Sequence, residues 1–344
     1  MNRPPTIRDV AKTAGVSVSV VSRVLNDSGP VAGEKREAVL QAIESMAYRP
    51  RAAARELSQG RALTIGLVLA DLTNPFFARL ADRIVWEARA HGAQVVLMTT
   101  QEDPHLEAES LDTLLDRSVG GVIATPTGEN VGQWEKLQDV GVDIVFVDRA
   151  IDGLHGIDVV SIANARSADT ATESLLALGH TRIGLISGPL STSTGRSRIA
   201  GYQDALRRSG VSPETELIRT VPFRGDGGAD AAAALLALPE PPTALVVANT
   251  AQVQNVVRRL AQLGTSIPQE LSLIVFDDNP WTELVTPPLS AMRQPIDLLA
   301  RHSVDTVLAR MQGRLPTGPR VIEVEAELII RSSCAALIRP AHSA

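Results

Sequence analysis

The sequence predicts a small all-α head of the helix-turn-helix type, followed by an α/β body of two doubly wound parallel-sheet subdomains. Three observations carry this reading. The run Thr6 to Asn26, TIRDVAKTAGVSVSVVSRVLN, holds two short amphipathic helical patterns around a glycine turn. From Leu63 onward, apolar runs alternate with helical stretches, the pattern of strands buried on both faces of a parallel sheet. That alternation then occurs a second time. A length of 344 residues suggests roughly two to three domains, and 44% hydrophobic residues supplies their cores.

In the head, Thr6 with Asp9 three residues on, followed by Ile7, Val10, Ala11 and Ala14, reads as a capped amphipathic helix. Gly15 ends it. Ser17 can cap a second helix with Val20, Val21, Val24 and Leu25 on one face and Val18, Ser19, Ser22 and Arg23 on the other. Two helices this short about a glycine turn form a unit that lays its second helix in the DNA major groove. A plain helical hairpin is the competing reading. A third helix after Asn26, with Val39, Ala42, Ile43 and Met46 inward, would close a three-helix core, and Arg49-Pro50-Arg51 breaks it. The following RAAARELSQGR is basic and Ala-rich, with one large apolar residue, Leu57.

In the body, LTIGLVLA, AQVVLMTT, VGGVIATP and DIVFVDR read as buried strands, with helices near 76–91, 104–117 and 130–140. TRIGLIS, LIRTVPF, TALVVAN and SLIVFD form a second series, with helices near 167–179, 197–209, 228–238 and 251–263. Two such units leave a cleft at the C-terminal ends of their strands, where ligands bind in open α/β sheets.

Charge divides the chain. Residues 1–62 carry 10 Lys+Arg against 6 Asp+Glu, whereas the remainder carries 23 against 33. A basic head on an acidic body suits a head that meets phosphate and a body that repels it. The single Cys334 excludes an internal disulfide and a cysteine-based zinc finger. The six histidines show no HxH or HExxH spacing, so no metal and no cofactor is expected. Without an apolar run of 18 residues or a signal-peptide core, the expectation is a cytoplasmic protein with no membrane partner.

The segments TIRDVAKTAGVSVSVVSRVLN, YRPRAAARELSQGR, IGLVLADLTNPFF, LGHTRIGLISG, SRIAGYQDAL, IPQELSLIVFDD and PPLSAMRQP, in that order, resemble the lactose/galactose-repressor (LacI/GalR) family of bacterial transcription regulators. The resemblance implies a DNA-binding head at 1–50, a hinge at 51–61 and an effector-binding and dimerisation domain at 62–338. It implies a type I periplasmic-binding-protein-like body, with one subdomain at about 62–160 and 291–319 and the other at about 161–290 and 320–338. The chain should therefore cross near Ser161, Ala291 and Arg320, with VIEVEAELIIRSS supplying final strands beyond the last crossing. Its implied partners are double-stranded DNA with a palindromic operator, a small-molecule effector such as a sugar, and a second copy of the chain in a homodimer. After Ser333 only eleven residues remain, too few for a leucine-heptad tail.

Val18, Ser19 and Arg23 match the family's base-reading positions. Arg23 suits bidentate contact with guanine, and Val18 suits apolar contact with a thymine methyl. Ser17, Ser22 and Asn26 suit phosphate contacts, which set register. By the same resemblance, residues 51–60 become helical on DNA, and Leu57 wedges into the central base step from the minor groove. Ala53, Ala54 and Gly60 fit a helix marginal in isolation. Ala32 and Lys35 stand where the family usually has hydroxyl residues, so a cap is lost and a cation gained.

For the effector, the matching positions are Phe76, Phe77, Asp148, Arg149, Thr194, Arg198, Asn249 and Asp277. A carboxylate, a guanidinium and an amide converging between aromatic walls suit a polyhydroxylated ligand. Either phenylalanine could stack on a ring or fill the core, and Arg198 could instead serve a salt bridge within its own subdomain. Ala163-Asn164 and Asn249-Thr250-Ala251-Gln252 depart from the family's Asp-Asn and Asn-Asp patterns, removing two carboxylates. That leaves open an acidic or phosphorylated ligand, or a lost response. An enzyme with a DNA-binding head is the alternative class, opposed by the lack of GxGxxG after a strand, of a Walker sequence and of a GxSxG elbow. A transport-type binding protein is opposed by the basic head.

Overall fold

The computed structural model describes residues 5–26, 29–46 and 63–337. The chain divides into two compact units, Met1–Ala62 and Leu63–Ala344.

The first unit holds α1 (Ile7–Thr13), α2 (Val18–Asn26) and α3 (Gly33–Ser45). The carboxylate of Asp9 accepts from both the backbone N–H and the hydroxyl of Thr6, at 2.8 and 2.6 Å, and so fixes the start of α1. Gly15, at φ +65°, ends it. The N–H groups of Gly15 and Val16 return to the carbonyls of Lys12 and Ala11, the double bond of a Schellman turn. The carbonyl of Ser17 then accepts from Val20 and Val21 and opens α2. Val10, Ala11, Val21, Val24, Val39 and Ala42 are buried together as the core of this unit. Ala32 precedes α3 with no side-chain cap.

The second unit holds two six-stranded sheets. The first has the order β11-β5-β4-β3-β1-β2, built from β1 (Thr64–Leu69), β2 (Gln94–Thr99), β3 (Gly121–Ala124), β4 (Asp143–Val147), β5 (Asp158–Ile162) and β11 (Val321–Val324), all pairs parallel. The second has the order β12-β10-β9-β8-β6-β7, built from β6 (Ile183–Ser187), β7 (Ile218–Thr220), β8 (Ala244–Ala248), β9 (Ser272–Phe276), β10 (Ser290–Arg293) and β12 (Glu327–Ile329). Only the β10–β12 pair in it is antiparallel. Helices α4 (Pro75–Ala90), α5 (Pro104–Asp116), α6 (Val131–Asp139), α7 (Asn164–Ala177), α8 (Ser193–Arg208), α9 (Gly227–Leu236), α10 (Val253–Gln262) and α11 (Ile296–Met311) complete the two layers around each sheet. One buried cluster runs through both subdomains, from Ile65 and Phe77 to Tyr202 and Phe276. The outer faces of the two sheets have cores of their own.

The crossing points differ in part from expectation. The first lies between Ile162 and Asn164. The second falls after Arg293, because β10 still pairs with β9 and β12. The third falls after Val324 and not near Arg320, so VIEVEAELII is split between the sheets. The reason lies in Asp158, which is 2% exposed. Its carboxylate accepts from Nε and Nη2 of Arg310, at 2.7 and 2.8 Å, and from the N–H of Arg320 at 2.7 Å, tying the start of β11 to the first sheet. Ser333 performs the opposite anchoring: its hydroxyl donates to Leu273 O at 2.6 Å and accepts from Ser290 N at 2.7 Å. Three elements near the crossings, β5, β10 and α11, carried no recognised signal in the sequence.

Candidate functional site

The two sheets turn the C-terminal ends of their strands toward one cleft. It has an inner chamber bordered by Phe76, Phe77, Asp148, Arg149, Thr194, Arg198, Phe223, Thr250 and Gln294, among others. Outside it lies a chamber of about 230 Å³, bordered by Asp71, Asn74, Phe77, Glu102, Phe223, Arg224, Thr250 and Trp281, among others.

At the centre is Arg198, on α8 and 5% exposed. Nε donates to Asn164 Oδ1 at 2.8 Å and Nη1 to the carbonyl of Ala248 at 3.0 Å. Its guanidinium lies 4.3 Å from the ring centre of Phe276. Burial pulls its pKa down, against the fields of Asp148 and Asp277. Those two aspartates occupy equivalent places, one residue past β4 and one past β9, and both are left-handed, at φ +71° and +67°. Aspartate is among the few residues with a Cβ that visit this region. Burial raises both carboxyl pKa values; the rise is opposed in Asp148 by Arg149, whose Nε lies 3.5 Å away, then by Arg198, and in Asp277 by the hydroxyl of Thr250, then by Arg198. Asp277 also accepts from the hydroxyl of Thr250 and from Gln294 Nε2, the latter at 2.7 Å.

Arg149, 3% exposed, is held by Glu102 through two parallel bonds, Nη1 at 2.7 Å and Nη2 at 2.8 Å. Burial lowers its pKa, but the charge and hydrogen bonds of Glu102 outweigh that and raise it. The guanidinium sits 4.1 Å over the ring of Phe223 from the other subdomain. Phe76 and Phe77 meet edge to face at 5.0 Å. Both border the inner chamber, so each serves wall and core at once. Asn249 turns away: its amide donates to the carbonyls of Val221 and Pro222, at 3.2 and 3.5 Å, and Thr250 takes the place at the cleft. At the two departures from the family pattern, neutral side chains do the holding, Asn164 for Arg198 and Thr250 for Asp277.

Asp71, Glu102, Phe223, Arg224, Thr250, Trp281 and Gln294 were not anticipated. Most lie in segments that directly follow a strand, so the rule that ligands gather at strand C-termini could have found them. Two carry a buried polar atom without a partner, Nε1 of the half-buried Trp281 and Oε1 of the buried Gln294, and line the outer and inner chambers respectively.

On the head, Ser17, Val18, Ser19 and Arg23 are exposed on the side of α2 opposite Val21 and Val24, and Ser22 is half-buried. The hydroxyls of Ser17 and Ser19 are 2.8 Å apart, and Arg23 Nε donates to Ser19 O at 3.3 Å. Asn26 ends α2. Its side chain, and Ala53, Ala54 and Leu57, lie outside the described residues. No described helix is long and apolar enough to cross a membrane, and no group of three or more metal-ligating side chains is found among the described residues.

A helix-turn-helix head joined to a two-lobed α/β receptor body defines a DNA-binding transcriptional regulator. Residues 6–51 match the model of bacterial regulatory proteins of the lacI family, and residues 172–334 match the periplasmic binding protein-like domain. The chain is 33% identical to the ribose operon repressor of Escherichia coli (strain K12) over 326 residues, 92% of this chain and 98% of that one. The structure superposes on the Lac repressor dimer bound to operator and the anti-inducer ONPF with a TM-score of 0.80, at 28% identity, covering 97% of this chain and 100% of that one. For the complex of the transcriptional regulator CelR with cellobiose the TM-score is 0.74, at 28% identity, covering 96% and 99%. The chain belongs to the lacI family of bacterial regulatory proteins.

Proposed function

We propose that this protein represses transcription as a homodimer on a palindromic operator, and that a neutral, polyhydroxylated effector of the sugar class binds in its cleft and controls that affinity. The observation that carries the effector is the buried guanidinium of Arg198 between Asp148 and Asp277. A sugar hydroxyl both donates and accepts, so it can serve the carboxylates, the guanidinium and the unpartnered Trp281 Nε1 and Gln294 Oε1 together. The aromatic rings of Phe77 and Phe223 offer apolar walls to the faces of a sugar ring. The ribose operon repressor and the CelR–cellobiose complex among the proteins it resembles favour the same class.

The cleft is a receptor and no reaction is assigned to it. Its work lies in the cytoplasm, on the nucleoid. Val18, Ser19 and Arg23 read bases, Ser17, Ser22 and Asn26 hold phosphates, and Leu57 with Ala53 and Ala54 enters the minor groove. Closure of the lobes about the three crossings is a hinge motion, and an effector shifts it only by its differential affinity for the two states. The test is operator affinity with and without ribose, cellobiose and related neutral sugars, in the wild type and in Arg198→Met. Loss of the response in the variant, with operator affinity of the unliganded protein within a few-fold of wild type, supports the reading. An equal response in both places the effector elsewhere.

A further inference from the structure

Beside the outer chamber, the dipeptide Gln101-Glu102 of one subdomain meets Phe223-Arg224 of the other. Arg224 Nη1 donates to the carbonyl and to Oε1 of Gln101, at 3.2 and 3.1 Å, and lies 3.6 Å from Asp71. Glu102 borders the outer chamber, Arg149 borders the inner one, and the two are joined by the paired bonds between them. Gln101 and Glu102 are both left-handed, at φ +54° and +61°. Successive residues with a Cβ adopt that conformation only where their surroundings over-determine it. Here the strained pair holds an arginine with each residue.

Three guanidinium groups, Arg149, Arg198 and Arg224, thus face four carboxylates, Asp71, Glu102, Asp148 and Asp277. Arg198 uses Nε on Asn164 and Nη1 on Ala248, between two of those carboxylates. Arg224 is engaged at the rim. Arg149 is the cation best formed to hold an anion, planar, buried and with its two Nη groups turned to one partner, and that partner is already a carboxylate. A free anion must displace a group that the chain itself holds at high effective concentration.

We propose that Glu102 sets the charge selectivity of the cleft: by occupying Arg149 it closes the site to acidic and phosphorylated compounds and leaves it to neutral ones. This rests on the cleft being the effector site. Removing the carboxylate would leave the Nη groups of Arg149 beside a vacated space of carboxylate size that opens on the outer chamber. Glycine is the suited replacement, since it accepts φ +61° without strain.

The experiment is calorimetric titration of the full-length protein with inorganic phosphate, ribose and ribose 5-phosphate. The proteins are wild type, Glu102→Gly, Glu102→Gln and the double variant Glu102→Gly/Arg149→Met. Glu102→Gly is expected to bind phosphate and ribose 5-phosphate at least tenfold more tightly than wild type. The gain should be smaller in Glu102→Gln, which keeps the bulk, and absent in the double variant. Should Glu102→Gly fail to fold, the smaller gain expected in Glu102→Gln, lost when Arg149→Met is added to it, decides. No gain in a folded single variant, or a gain that survives loss of Arg149, overturns the proposal. Ribose binding by wild type is read separately: its absence counts against ribose as the neutral ligand, while the phosphate gain still judges Glu102.

Discussion

Replacing Arg198 by methionine should cost stability in a manner that depends on pH, and the structure fixes both size and sign. The substitution keeps much of the aliphatic bulk against Phe276 but removes the bonds to Asn164 and Ala248, and leaves Asp148 and Asp277 buried without the guanidinium between them. Deleting one partner of a buried charge network costs about 3–5 kcal/mol. The acids can relieve part of that cost by taking up protons. Burial already raises both pKa values above the ordinary aspartate value of 3.8, and without Arg198 they rise further. An acid whose folded pKa is raised destabilises the fold fully above that pKa, and the penalty fades as pH falls through it toward the unfolded value. The deficit should therefore be larger at mildly alkaline pH than at mildly acidic pH, with wild type measured alongside at each pH. Urea unfolding checks this, with unchanged slopes assuring that the midpoints report stability. A deficit below about 1 kcal/mol at the higher pH, where surface changes ordinarily fall, or one of equal size at both, would refute a charge-balancing role.

Gly201 on α8 packs so closely on α7 that a Cβ there would fall 1.8 Å from the carbonyl oxygen of Ala165. Gly201→Ala should cost more than about 3 kcal/mol, beyond ordinary overpacking, and a thermal melt close to wild type would contradict that packing. Leu57→Ala should weaken specific operator binding on the order of tenfold, about 1.4 kcal/mol, because an apolar wedge offsets its unstacking cost through the bend it permits. Non-specific affinity should stay nearly unchanged, and equal specific affinity in a mobility-shift titration would remove the wedge from the account. Splitting the operator dyad by roughly five base pairs, half a helical turn, should abolish binding by a two-fold dimer. An undiminished footprint on the spaced site would indicate a monomeric or flexible reader.

Much of the architecture was legible because its signals are local. Runs such as TIGLVL and SLIVF lie buried on both faces and announce themselves by apolar content alone. The crossings were harder. Between Val324 and Glu327 the sequence reads Val-Glu-Ala-Glu, with no glycine or proline to mark the passage from one sheet to the other. What divides the segment is long-range: Asp158 anchors one side and Ser333 the other. Helix α11 escaped because it is buried at Leu299, Ala300, Ser303, Val304, Thr306 and Val307, while Arg, His and Asp interrupt the apolar periodicity.

The same distinction explains which parts of the cleft could be read. Asp148, Asp277 and Arg198 could be picked out because the stretches that hold them, at the ends of apolar strands and in SRIAGYQDAL, resemble the family's pocket segments. The roles of Glu102, Phe223 and Arg224 arise only when the lobes face one another. In the internal repeat, β4 with Asp148 corresponds to β9 with Asp277, and both aspartates have the same left-handed backbone. Arg149 and Asp278, which follow them, break that correspondence. Asp278 pairs with Arg293 and Arg331 within its own subdomain, which depresses its pKa to about 2. Arg149 lies over Phe223 of the other lobe. One copy of the repeat therefore uses the position after its aspartate to knit a lobe together, and the other uses it to reach across the cleft. The repeat supplies the paired acids, and its departures from symmetry supply contacts that join the two lobes.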